Sequence, residues 1–243
     1  MLKKLLLGAS LVIGLLLTPG CNYGRLSDVA IKVSVTNDPN YKAIKLLNEV
    51  ALPTYKVIAK TPDGTWSGSA VAINEDTLLT AAHVVLDPAG APIENVMLHR
   101  SLDADVISEA VVVKLDADKD IAILKSKTRL PNWAKVLPFD AISETVTWMA
   151  PVVACGNSLG LDDSIVSFGY ITSLDDTDQH FIRHNAHTLP GNSGGPVFVL
   201  HNNRWKVFSI HQANYLVGFG TPSGQMGLSC NPYTLTTFIE GHQ

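Results

Sequence analysis

Along most of the chain, short apolar runs rich in Val, Ile, Leu and Thr alternate with turn signals built on Gly, Pro, Asn and Asp. Such runs are the mark of β-strands. They cover residues 55–59, 67–74, 77–80, 95–100, 106–115, 121–125, 146–155, 164–173, 179–184, 196–200, 206–212 and 225–230. About a dozen strands with no helices alternating between them predict an all-β protein of antiparallel sandwich or barrel type and exclude a parallel α/β sheet. Two helices stand outside this pattern. Residues 41–51 place Ile44, Leu47 and Ala51 at helical spacing just before Pro53, and residues 233–240 predict a short closing helix. Residues 22–40 are polar with weak periodicity and suit a tether. There is no internal repeat and no low-complexity tract.

The first twenty residues follow a different plan: Lys3 and Lys4, an uncharged apolar run over 5–17, then Thr18-Pro19-Gly20-Cys21. That is the layout of an export signal, and its apolar run is short of the roughly 20 residues a spanning helix needs. A small residue directly before a cysteine resembles the lipobox of bacterial lipoproteins. The resemblance implies that Cys21 becomes the lipidated first residue and ties the protein to a membrane, although Thr18 and Pro19 depart from the usual box. The alternative is an ordinary signal-peptidase site with Cys21 incidental. Asn22 is unlike the Asp that retains lipoproteins at an inner membrane, so the outer membrane or cell surface is the expected address. Of the 243 residues 46% are hydrophobic and 16% charged, which places the chain among globular proteins. Lys and Arg number 18 against 22 Asp and Glu, and loss of Lys3 and Lys4 with the leader makes the balance more acidic still. No basic excess points to nucleic acid.

The chemistry is concentrated in Pro190-Gly191-Asn192-Ser193-Gly194-Gly195-Pro196-Val197, a serine set among three glycines and followed by a strand. A nucleophilic serine must expose its hydroxyl on a tight turn, beside backbone N–H groups aimed at the oxyanion of acyl transfer, and glycine permits such a backbone. Gly191 and Ser193 are the expected donors. A weak hydroxyl also needs a general base, and Thr80-Ala81-Ala82-His83-Val84 offers His83 at the end of an apolar strand among small residues. The base needs an orienting carboxylate. Asp120, leading directly into the apolar run 121–125, is preferred over Asp116 and Asp118, which lie in the turn outside that run.

In the order His83, Asp120, Ser193, these segments resemble the trypsin-like serine peptidases, whose triad they match in chain order. The similarity runs from about Ser67 to about Ile239. It includes Trp66-Ser67-Gly68-Ser69-Ala70, Ala154-Cys155-Gly156-Asn157-Ser158-Leu159-Gly160 and Phe168-Gly169-Tyr170-Ile171-Thr172-Ser173, which resemble bacterial members, among them periplasmic quality-control proteases. The resemblance implies two six-stranded antiparallel β-barrels with the active site in the cleft between them, a serine endopeptidase activity on protein or peptide substrates, and no cofactor. It divides the chain into a signal peptide over 1–20, a tether and short helix over 21–52, and a peptidase domain over 53–243 with the barrel boundary near 130–145. The C-terminal peptide-binding domain of many relatives is not expected in a chain of this length. Gly191 to Gly195 also fits the G-x-S-x-G elbow of α/β-hydrolases, but that fold needs an acid and then a histidine after the serine, and only Glu240 and His242 follow in that order.

Thr188 and His211 resemble the Thr and His with which glutamyl endopeptidases of the staphylococcal type receive a substrate carboxylate, implying a preference for Glu before the cut. Gln212-Ala213-Asn214 depart from the glycines that follow the His in those relatives. The competing reading is a pocket for small apolar side chains. A second function class is a catalytically inactive trypsin-like surface lipoprotein acting as a binding module; such proteins usually lose a triad residue, and this chain keeps all three. His180, His184 and His187 do not share one strand face, so a metal site is not expected there. Cys155 and Cys230 are the only cysteines besides Cys21, and export favours a disulfide between them, while nothing around Cys155 resembles an activated thiol.

Overall fold

The computed structural model describes residues 39–61, 64–100, 106–174, 181–217 and 224–242; the leader and Cys21 lie outside them. Six strands close the first barrel in the order β1-β2-β3-β6-β5-β4: β1 (Thr54–Thr61), β2 (Gly64–Ala72), β3 (Thr77–Thr80), β4 (Val96–Arg100), β5 (Val106–Asp116) and β6 (Ile121–Ser126). Residues 70–72 of β2, 78–79 of β3 and 121–124 of β6 are apolar at successive positions because both faces are covered there. Ala70, Ala72, Leu78, Ala122 and Leu124 fill the barrel with Tyr55, Val57 and Leu98. The intervening Val71, Leu79, Ile121 and Ile123 point the other way, into a second core.

That second core is the seam between the barrels, and its other wall comes from Val153, Cys155, Phe198, Val207, Ile210 and Cys230. The second barrel closes in the order β11-β8-β9-β10-β13-β12, with β11 also pairing β12. Its strands are β8 (Pro151–Gly156), β9 (Ile165–Ser173), β10 (Phe181–His184), β11 (Pro196–His201), β12 (Arg204–Val217) and β13 (Gly224–Cys230). Alternation again sorts the side chains: Val152, Ala154, Val197, Val199 and Phe208 line its interior, whereas Val153, Cys155 and Phe198 face the seam. Between the barrels runs a connection that adds β7 (Lys135–Val136) parallel to β12.

The two expected helices are present. α1 (Pro39–Leu46) continues as a wide turn over Leu47–Ala51 that buries Val50 in the seam, and the C-terminal helix (Pro232–Glu240) packs Leu235, Phe238 and Ile239 against the same core. Asn231 caps that helix by accepting a hydrogen bond from the Tyr233 N–H, with Pro232 in its first turn. The all-β architecture agrees with the sequence pattern, and the two barrels with what the family resemblance implies. Two boundaries differ by more than three residues. The run 146–155 becomes a strand only at Pro151, because Ile142–Thr145 is a helical turn and Met149 takes a left-handed backbone (φ 62°) before the strand begins. β12 extends past residue 212 to Val217 in a long hairpin with β13.

The expected Cys155–Cys230 disulfide is not formed: both cysteines are free and buried. Cys155 lies on β8 and Cys230 on β13, three strands apart around the barrel in either direction. Burial pushes the two thiols up, to about 11 at Cys155 and about 12 at Cys230, so both are neutral seam residues rather than nucleophiles.

Candidate active site

β3 and β6 are antiparallel neighbours with Thr80 opposite Ala122, so the residues leaving β3 lie beside those entering β6. This register brings His83, in the short helical turn Ala82–Val84, against Asp120. The Asp120 carboxylate accepts from the His83 backbone N–H at 2.9 Å through Oδ1 and meets His83 Nδ1 at 2.8 Å through Oδ2. Asp120 can do so only with a left-handed backbone, φ 50°. Gln212, from β12, holds that turn by donating from Nε2 to the carbonyls of Lys119 and Asp120, at 2.6 and 2.8 Å. The competitor Asp116 is instead paired with Lys119 at 2.9 Å, and that neighbour helps hold its carboxyl low against the opposing effect of burial.

Ser193 sits on the turn that feeds β11, and both barrels hold that turn. The Ser69 N–H donates to the Ser193 carbonyl at 2.8 Å from the first barrel, while the Gly194 N–H donates to the His211 carbonyl at 2.7 Å in the second. Gly191 and Gly194 have left-handed φ of 99° and 79°, and a Cβ on Gly194 would lie 2.2 Å from Thr80 Oγ1. Only glycine fits there. The N–H groups of Gly191 and Ser193 donate to nothing among the described residues. No hydrogen bond joins Ser193 to His83 in this structure, whereas His83 and Asp120 are joined by two.

Beside Ser193 the structure gathers Thr188, His211 and Asn214 with a histidine behind them. Thr188 Oγ1 donates to Asn214 Oδ1 at 2.5 Å, and Thr188 and His211 are both buried. The His184 and His211 rings lie edge-on with centroids 5.9 Å apart, and His184 Nε2 meets Ser229 Oγ at 3.0 Å. Gly227, opposite Asn214 on β13, packs against the His184 ring, where a Cβ would come within 2.3 Å. Burial pulls His184 down to about 4. Burial and the neighbouring His184 and His83 pull His211 down to about 3, so both rings are neutral at neutral pH. His211 Nδ1 has no hydrogen-bond partner among the described residues.

Several of these residues escaped the sequence reading. Gln212 and Asn214 figured there only as departures from a glycine pattern, and His184 only in a rejected metal cluster. Ser69, Ser158 and Asn192 sit inside the recognised motifs, but their partners are remote in sequence and nothing local marks them. Among the described residues no group of three His, Cys, Asp or Glu side chains is placed to hold a metal, and no helix is long and apolar enough to cross a membrane.

Residues 68–209 match the family model of the trypsin-like peptidase domain. A protein of Rickettsia prowazekii, named as a DegP-like periplasmic serine endoprotease, is 29% identical over 183 residues, 68% of this chain and 33% of the relative. A Synechocystis protein named as the serine protease HhoB is 32% identical over 159 residues, 62% of this chain and 34% of the relative. The chain thus spans about a third of the length of these curated relatives. A crystal structure of a serine endoprotease from Yersinia pestis superposes with a TM-score of 0.64 at 23% identity, covering 82% of this chain and 65% of that one.

The buried histidines predict a pH dependence of stability. Both are depressed in the folded protein from 6.5. Below about pH 6.5 the unfolded chain takes up protons that the folded one refuses, so stability falls as pH drops from there to about 4 for His184 and about 3 for His211, and is insensitive to these groups above that window. Thermal midpoints should decline over this range. His184→Gln, less stable at neutral pH, should lose less on acidification; an equal loss would remove His184 as a source.

Proposed function

This chain belongs to the trypsin-like peptidase domain family, and on that premise we propose that it is a serine endopeptidase with Ser193 as nucleophile, His83 as general base and Asp120 as its orienting carboxylate. The observation that carries the reading is the bonding of Asp120 to His83. With Nδ1–H donated to Asp120, the bare nitrogen of the ring is Nε2, the atom that must take the Ser193 proton. In the reaction Ser193 Oγ attacks the peptide carbonyl carbon as its proton passes to His83. The oxyanion accepts from the N–H groups of Gly191 and Ser193. His83 then gives the proton to the leaving nitrogen as the C–N bond breaks, and water releases the acyl group by the same steps in reverse. The hydrogen bond between His83 and Ser193 closes when substrate displaces water from the cleft.

The pocket suits an acidic residue before the cut. Thr188, His211 and Asn214 supply polar groups without formal charge. A buried Lys or Arg would find no opposite charge there, whereas a carboxylate finds donors in the imidazole and in the Asn214 amide nitrogen. Export is part of the same proposal, supported by the leader pattern and by the periplasmic naming of the Rickettsia relative, with Cys21 as the lipidated anchor on the outer face of a bacterial membrane.

Ser193→Ala, His83→Ala and Asp120→Asn should each lower peptidase turnover by about 10⁴- to 10⁶-fold while leaving the fold intact. Near-normal turnover by any one of them would remove that residue from the triad. A fluorophosphonate should label Ser193, and failure to label would favour the binding-module alternative. In cleavage-site profiling, Glu should exceed Gln before the cut and His211→Ala should erase the difference; a profile of Val, Ala or Leu unchanged in that variant would overturn the acidic pocket. The intact mass of protein isolated from membranes should carry acyl chains on Cys21, and an unmodified Cys21 would end that part of the proposal.

A further inference from the structure

The turn before Ser193 is fastened from one side by the loop of residues 157–162, and each fastening ends on a residue that shapes the oxyanion hole. The Leu159 N–H donates to the Pro190 carbonyl at 2.6 Å. A trans peptide directs its C=O and N–H to opposite sides, so this bond turns the Gly191 N–H away from the loop. The Asn157 N–H donates to Ser69 Oγ, and Ser69 Oγ–H donates onward to the Gly191 carbonyl, both at 2.8 Å. Ser158 Oγ donates to Asn192 Oδ1 at 2.5 Å within the buried interior. Asn192 is neutral, so a hydroxyl rather than an ion pair orients the side chain next to the nucleophile.

The loop is itself rigidly held. Asn157 Nδ2 donates to the carbonyls of Leu161 and Asp162, at 3.3 and 3.1 Å. Lys56, a nearly buried lysine of β1, donates to the Gly160 carbonyl at 2.6 Å and pairs with Asp162 at 2.9 Å. Leu159 takes a left-handed backbone, φ 56° and ψ 22°, while most of its side chain faces solvent. A leucine gains nothing from that conformation by itself, and strain of this kind persists where the surroundings impose it. Here the left-handed residue lies in the same tight turn whose Leu159 N–H donates to Pro190.

We propose that Ser158 and Ser69 are positioning residues for the oxyanion hole, acting through the backbone of residues 190–192 to keep the Gly191 and Ser193 N–H groups directed at the attacked carbonyl. The proposal rests on the serine-peptidase reading above. It assigns a role to two hydroxyls that touch neither substrate nor the triad side chains.

Fluorophosphonate labelling of the full chain, resolved into its maximal rate and its half-saturating concentration, tests it. Ser158→Ala and Ser69→Ala should each lower the maximal rate by about tenfold to a hundredfold, the scale of a misplaced reacting geometry, with the half-saturating concentration unchanged. Ser158→Thr, which keeps a hydroxyl donor, should recover most of the loss, and thermal melts establish that the compared proteins are folded. Should Ser158→Ala fail to fold, Ser158→Cys, similar in size and a weak donor, takes its place with the same expectation. Maximal rates equal to that of the unsubstituted protein in both folded hydroxyl-lacking variants would overturn the inference while leaving the serine-peptidase reading intact. No labelling of the unsubstituted protein would overturn that reading, and the inference with it.

Discussion

The seam between the barrels is the constraint on which the rest of the molecule depends. β2, β3 and β6 in the first barrel and β8 and β11 in the second must be apolar on both faces, because one face fills a barrel and the other meets the opposite barrel. Fully burying a side chain the size of Leu79, Ile123 or Phe198 stabilises by about 1.5–3 kcal/mol, and the seam collects these from both barrels as well as from the two terminal helices. Fixing the barrels against each other in this way also fixes everything that straddles them.

The candidate site is such a straddling structure. His83 leaves β3 and Asp120 enters β6, both of which contribute to the seam, and Ser193 leads into β11 on the other side. The polar ties follow the same route. Ser69 from the first barrel reaches the Ser193 turn, and Gln212 from the second reaches the Asp120 turn. Each barrel therefore braces the other's reactive segment. The left-handed conformations at Asp120 and Leu159 are tolerated because neighbouring hydrogen bonds hold them, and both occur at the candidate site.

Electrostatics divides the site into two parts. At its mouth the half-exposed His83 is paired with a carboxylate, an arrangement able to accept a proton and to stabilise the resulting cation. Deeper in, burial holds His184 and His211 neutral; His184 meets Ser229 Oγ through Nε2, while His211 Nδ1 has no hydrogen-bond partner among the described residues. The three imidazoles thus differ in chemistry because His83 has a carboxylate and solvent while His184 and His211 have neither.

The strands and the candidate reactive side chains were legible in the chain alone, since both are written in local patterns: turn residues bounding apolar runs, and a serine among glycines in backbone conformations that other residues rarely adopt. The position of Asp120 directly before an apolar run favoured it over Asp116 without any contact being known. Tertiary structure alone decided what depends on partners remote in the chain. Ser69 and Gly191 are 122 positions apart, Gln212 and Asp120 are 92, and Ser158 and Asn192 are 34, so no local pattern records their bonds. The two thiols show the converse. Export and cysteine count pointed to a disulfide, but both thiols are free and buried in the seam, on strands that do not pair, a placement no local pattern records.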